Sequence, residues 1–213
     1  RGFVLDSGGE PGQIIVQGPA QNKIKAKFIG KEAHAGAAPE NGISAIQMAA
    51  EAIVNMKLLR IDHETTANIG VISGGEVTNI VTKEVYIEGE ARSLSYEKLR
   101  QQTNHMIKCC EDAAKKFGGT VKLDIEHTYG AFKIEEESEI VEKVKEACKN
   151  IGLKPYTTSS GGGSDTNVFN ANGIESVNLG IGERKPHTVE EHLYIKDLEN
   201  AAKLVLEIIK VHA

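Results

Sequence analysis

Six successive segments between Lys23 and His127 constrain the fold most strongly, because their apolar residues recur with only two periods. Ile24, Ala26 and Phe28 alternate with Lys23, Lys25 and Lys27; a period of two means a strand with one wet, basic face. Ile43, Ile46, Ala50, Ile53 and Val54 then recur at helical spacing, up to about Leu58. A second strand is predicted over Ala67 to Ile72, closed by Ser73-Gly74-Gly75. From Glu84 to Ala91, Val85, Ile87 and Gly89 alternate with Glu84, Tyr86, Glu88 and Glu90. Ser95 is placed to cap a long helix. Its stripe is Leu99, Thr103, Met106, Cys110, Ala113 and Phe117, and Gly118-Gly119 ends it as a left-handed cap would. Val121, Leu123 and Ile125 then alternate with Lys122, Asp124 and Glu126. The order β-α-β-β-α-β is that of a ferredoxin-like split βαβ unit.

The flanking sequence reads differently. Phe3-Val4-Leu5 and Ile14-Ile15-Val16 are short apolar runs separated by the turn formers Asp6 to Gly12. Ser138 is placed to cap a helix with Ile140, Val141, Val144, Ala147, Cys148 and Ile151 inward and Gly152 at its stop. A short strand, Lys154 to Thr158, leads into a glycine-rich turn. Asp165 is expected to cap a short helix, Thr166 to Asn172. A buried strand, Ser176 to Leu179, precedes a last helix carrying Leu198, Ala202, Val205, Leu206 and Ile209. Alternating α and β predicts an α/β fold. Residues 1–19 and 128–213 form a partial open α/β domain, and residues 20–127 form the inserted βαββαβ unit. The chain opens on Arg1 and runs at once into a strand, which reads as a piece of something longer.

Composition removes several functional classes. With 25 basic and 30 acidic residues the formal charge is −5, against the basic excess of a general nucleic-acid binder. Trp is absent and aromatics are 5%, too few for base-stacking platforms. No window approaches the ~20 apolar residues of a membrane helix. Cys109, Cys110 and Cys148 are an odd set with two adjacent, suited neither to a CxxC pair nor to a zinc knuckle. They read as reduced thiols on helices of a cytoplasmic protein.

Several residues carry chemistry or a plainer role. Gly161, Gly162 and Gly163 lack the Lys of a phosphate-binding loop and the third Gly of a dinucleotide fingerprint. A structural turn and an active-site loop both remain open there. His187 and His192 are five apart, about 140° round a helix, off the one-face register of a zinc helix. A metal would therefore use one of them, with ligands from elsewhere; a surface or capping histidine is the alternative. His34, in Gly30-Lys31-Glu32-Ala33-His34-Ala35-Gly36, is either an ordinary loop residue or a donor to a substrate oxygen. Arg92 is either a surface cation or a bidentate carboxylate clamp. Asp6 ends the first strand, as a turn cap or as a metal ligand at a strand end.

Together these segments do more. Leu-Asp6-Ser-Gly-Gly, G-K-E-A-H-A-G-A-A-P-E-N-G-I-S-A, G-G-E-V-T-N-I-V, E-A-R-S-L, S-G-G-G-S-D-T-N-V-F, G-I-E-S-V-N-L-G-I-G and P-H-T-V-E-E-H follow one another in order. This series resembles the dizinc peptidase superfamily of peptidase T, aminoacylase and carboxypeptidase type, and most of all its peptidase T-like branch. The resemblance spans essentially the whole chain. It implies a catalytic α/β domain with two zinc ions and an inserted lid that pairs as a homodimer. It implies that Asp6 ligates one zinc and His187 the other. It further implies that His34 and Asn79 contact substrate or oxyanion, that Arg92 holds a substrate terminus, and that Gly161, Gly162 and Gly163 line the pocket. Small peptides are the implied partners. The family's H-x-D pair, bridging Asp and Glu-Glu pair, which include the general base, have no counterpart in this sequence. The chain is therefore expected to be the C-terminal part of a peptidase, inactive alone. The alternative is a non-catalytic dimerisation module or pseudoenzyme.

Overall fold

The computed structural model of the protein describes residues 1–212. The chain divides into two compact units: Arg1–Pro19 with the chain from Tyr129 on, and Ala20–Thr128.

In the first unit, β1 (Gly2–Ser7), β2 (Gln13–Gly18), β8 (Phe132–Lys133), β9 (Tyr156–Ser159) and β10 (Ser176–Gly180) make one mixed sheet. β1 pairs with β10 in parallel, β10 with β2 antiparallel, and β2 with β9 in parallel. Helices α3 (Glu139–Asn150), α4 (Asp165–Ala171) and α5 (Ile195–His212) complete it. The apolar run Ile14-Ile15-Val16 of β2, and the burial of every residue of β10 with its polar Ser176 and Asn178 included, are those of strands covered on both faces. Ile14, Val16, Val177 and Leu179 pack with Ile140, Val141, Val144 and Cys148 of α3 and with Leu204 and Ile208 of α5.

The α5 stripe expected from spacing is not the buried one. Ala201, Leu204 and Ile208 face the core, whereas Leu198, Leu206 and Ile209 are more than half exposed. The helix is apolar on two sides, so period alone cannot choose between them; packing against α3 does. Two caps also differ from expectation. Ser164, not Asp165, caps α4, in a capping box with Asn167. Ser138 occupies the N-cap of α3, but its hydroxyl is buried without a hydrogen-bond partner among the described residues.

The second unit is one sheet in the order β4-β5-β6-β3-β7 covered by two helices. Its elements are β3 (Ala20–Ile29), α1 (Ala45–Asn55), β4 (Leu59–Arg60), β5 (Thr65–Gly74), β6 (Glu84–Ser93), α2 (Tyr96–Phe117) and β7 (Thr120–Tyr129). The strand from the hairpin's second half lies between the other two, as in a split βαβ fold. Ile24, Ala26 and Phe28 of β3 and Val85, Ile87 and Ala91 of β6 are buried beneath Met48, Leu99, Met106 and Cys110 of the helices. Ser95 accepts from the Lys98 N–H at the start of α2, and Gly118 ends it at φ 74°. Helix α1 stops at Asn55, short of the expected Leu58.

The lysine face of β3 is not a free basic patch. Lys23 meets Glu88 at 2.6 Å, Lys27 meets Glu84 at 2.9 Å, and Lys25 lies 3.9 Å from Asp124. The three cysteines are free and buried on α2 and α3. Burial pushes the Cys110 thiol up to about 12 and that of Cys148 up to about 11. No helix among the described residues is long and apolar enough to cross a membrane.

Candidate active-site elements

In the first unit, parallel pairing brings the C-terminal ends of β1 and β10 together, with Ser7 opposite Gly180. Asp6 sits at this end. Its N–H donates to Asn178 Oδ1 at 3.0 Å, and its carbonyl accepts from Asn178 Nδ2 at 2.8 Å. The backbone is thus pinned from β10 while the carboxylate stays exposed, with no hydrogen bond to it among the described residues. The loop after β10 lies against the turn after β1: Ile181 N–H donates to Ser7 at 3.0 Å and Gly182 N–H to Gly9 at 2.7 Å. Gly180 is required here, since a Cβ would stand 2.4 Å from the Gly9 oxygen.

That loop continues into a closed hairpin carrying His187. Arg184 and His192 exchange backbone hydrogen bonds at 3.0 and 3.2 Å. The Arg184 guanidinium donates to Asp197 at 2.8 Å and lies 4.2 Å from the centre of the Tyr194 ring. It also stands 3.7 Å from Glu10. Asp197 is 8% exposed, so the hairpin base is tied to α5 by a largely desolvated ion pair. Lys185 and His187, on either side of Pro186, have φ of 55° and 62°, a region non-glycine residues seldom adopt. The His187 N–H donates to Glu191 Oε2 at 2.7 Å, and no hydrogen bond to its imidazole is formed among the described residues.

Gly161, Gly162 and Gly163 follow β9, which runs opposite to β1 and β10. They emerge at the other end of the sheet from Asp6. Asn167, just beyond them, donates to Pro19 O at 2.9 Å and Gly130 O at 2.7 Å. The glycine loop thus lies where the chain leaves and re-enters this unit. A Cβ at Gly163 would meet the outer end of the Tyr129 ring, which would have to move aside.

In the second unit, His34 forms an isolated antiparallel bridge with Ile80, and Ala35 N–H donates to Asn79 O at 2.9 Å. His34 and Asn79 therefore share one loop cluster. His34 Nδ1 accepts from the N–H groups of Gly36 and Ala37 at 3.2 and 3.0 Å. Those two donors assign Nδ1 as the acceptor and leave the ring proton on Nε2, which is aimed outward on an exposed side chain. Arg92 is elsewhere. Residues Ile29 and Glu84 face each other at one end of the β3–β6 ladder, and Gln21 and Arg92 near the other. His34 follows the first end. Arg92 grips Glu90 with Nε at 2.7 Å and Nη2 at 3.0 Å, so a bidentate clamp exists but already holds an internal carboxylate.

Sequence reasoning missed Arg184, Asp197, Glu191 and Asn167. No local signal marks the ion pair, whose partners are 13 residues apart. Glu191, in contrast, stands four residues after His187, a spacing open to inspection.

The fold has counterparts among known proteins. Residues 17–118 match the peptidase dimerisation domain, and residues 104–204 match the M42 glutamyl aminopeptidase family. An uncharacterised Bacillus subtilis protein, YqjE, is 47% identical over 98% of this chain and 56% of its own length. Peptidase T of Clostridium perfringens is 27% identical over 99% of this chain and 52% of its own. A Staphylococcus aureus tripeptidase structure superposes with a TM-score of 0.91 at 45% identity, covering 99% of this chain and 56% of that one. The fold and these matches define a peptidase-type α/β protein with a dimerisation domain. Within that class, the chain is similar to peptidase T and to the tripeptidase. It spans about half the length of the relatives it matches.

Proposed function

We propose that this chain is the C-terminal part of a zinc-dependent exopeptidase, of tripeptidase or aminopeptidase type, that hydrolyses small peptides. One observation carries the reading. The Asp6 carboxylate stands at the end of β1 beside the loop that presents the His187 imidazole, and each side chain is without a hydrogen bond among the described residues. Carboxylate and imidazole suit zinc. They are two donors, and among the described residues no three His, Cys, Asp or Glu side chains come together to hold a metal. The residues present therefore fit part of a dinuclear set, with Asp6 on one ion and His187 on the other.

When bound, zinc supplies an acidified water and a polarised scissile carbonyl. The chain's own residues do the rest. Asp6 is held rigid through its backbone by Asn178. His34 Nε2–H, its tautomer set by two amides, donates to the developing oxyanion, with Asn79 beside it. Arg92 binds a substrate terminus by exchanging Glu90 for the substrate carboxylate, and because it stands at the far end of the β3–β6 ladder from His34, the two act on one peptide only across the homodimer. Gly161, Gly162 and Gly163, at the other end of the sheet from Asp6, serve as a structural turn rather than as a wall of this site. A general base lies outside this sequence. Pairing through the second unit makes the whole enzyme a homodimer, and buried reduced thiols suit a cytoplasmic setting.

The non-catalytic module is the second reading, favoured by the same incomplete donor set. Zinc content and tripeptide turnover, measured on this chain and on the full reading frame containing it, separate the two. The expected result is weak zinc binding and no turnover for the chain, and both activities for the full frame. Tight zinc or turnover by the chain alone would refute the need for further residues. Neither activity in the full frame would leave the module.

A further inference from the structure

We propose that Glu191 is a positioning residue for His187, holding it in a left-handed backbone conformation so that the imidazole is presented free to a metal. The inference rests on the reading of His187 as a ligand.

The His187 backbone is in an unusual state at φ 62°. An L-residue with a Cβ adopts it only where surrounding contacts over-determine it. The contacts are on the loop itself. The His187 N–H donates to Glu191 Oε2 at 2.7 Å, a charge-assisted bond of the strong kind. The return path of Glu191 is fixed in turn. Its N–H donates to Thr188 O at 3.1 Å, and Thr188 Oγ1 donates to Lys185 O at 2.8 Å. Lys185 pairs with Glu190 across the turn, and His192 Nδ1 contacts Glu190 O at 2.7 Å. The base is closed by the Arg184–His192 bridge and anchored to α5 by the Arg184–Asp197 pair.

Every polar group of this hairpin that could compete for the His187 ring is engaged elsewhere. Glu191 is spent on the backbone amide, Glu190 on Lys185, and Thr188 on Lys185 O. The side chain that carries the chemistry is the one left out of the network. That is how a supporting shell orients a ligand without occupying it. It also separates the two histidines of the motif, since the ring of His192 is turned to Glu190 O and Tyr194.

The test uses the chain itself, with Glu191→Ala, Glu191→Gln and His187→Ala. Without metal, NMR reads the His187 backbone coupling and amide exchange. With zinc chloride, calorimetry reads affinity. In Glu191→Ala the coupling should move to negative-φ values, amide exchange should quicken, and zinc affinity should fall roughly 10- to 100-fold. Glu191→Gln keeps an acceptor oxygen and should restore both readouts. An unchanged coupling and exchange in Glu191→Ala would overturn the inference whatever zinc does. A changed backbone with unchanged zinc affinity would overturn it as well. If His187→Ala binds zinc as the unaltered chain does, the ligand reading itself fails, and the metal-free NMR result tells that failure apart.

Discussion

At the residue scale, the candidate groups are exposed side chains on tightly held backbone. His34 shows why that matters. Two amides on Nδ1 leave Nε2–H as the outward donor, and a donor aimed at charge that exists only in the transition state lowers the barrier without tightening the ground state. In the full-length enzyme, His34→Ala is expected to lower kcat by ~10² to 10³ with little change in KM. Its zinc content should match the parent, and steady-state kinetics with metal analysis checks both. A change in KM alone would make His34 a ground-state contact. Asp62 is a second residue whose role only its surroundings disclose. The N–H of Glu64, first, and then Lys98 and the Thr65 N–H hold its carboxyl well below the ordinary 3.8. A group whose pKa is depressed on folding stabilises the fold above its unfolded value and loses that contribution as pH falls toward the folded one. Stability should therefore decline as pH drops below 3.8. In Asp62→Asn that acid limb should flatten, as read by urea midpoints across the acid range.

At the element scale, strands and helices of the second unit followed from period. Each of β3, β5, β6 and β7 has an alternation or a bounded apolar run, and α2 has a single stripe with a cap at each end. Helix α5 marks where period fails. Leu198, Leu206 and Ile209 make as good a stripe as Ala201, Leu204 and Ile208, and only contact with α3 and the sheet distinguishes them. Leu204→Ala should cost about 2 to 5 kcal/mol, because it empties a close-packed site. Leu206→Ala, at an exposed position, should stay within about 0.5 kcal/mol. Chemical denaturation of the two variants reads the difference, and equal losses would contradict the assigned face. The caps follow the same logic. Ser164 and Asp165 are both good capping residues by type, and the choice fell to Ser164 because Asn167 completes a reciprocal pair with it.

At the scale of the whole molecule, β5 has an open edge. The short β4 pairs with Thr66 and Ala67, so among the described residues the strand from Asn68 on lacks a neighbour on that side. Val71 is 46% and Ile72 58% exposed beside it. An exposed apolar edge is a template for another chain. The chain should be a dimer at micromolar concentration through residues 43–91, and Ile72→Lys should shift it to monomer in light scattering. A strictly monomeric unaltered chain at high concentration would count against this. The sequence by itself determined the order of the longer elements, the split βαβ unit, the inward faces of β3, β6 and α2, and the residue types proposed for the site, while the two-residue strands β4 and β8 are too short to show a period. Those are local properties, since period and caps act within about four residues. Tertiary structure alone decided the rest. Parallel pairing of β1 with β10 set Asp6 beside the His187 loop, while the reversed β9 sent Gly161, Gly162 and Gly163 to the other end. The long β3–β6 ladder separated Arg92 from His34. Strand direction and register join residues far apart in the chain, and no local period encodes them.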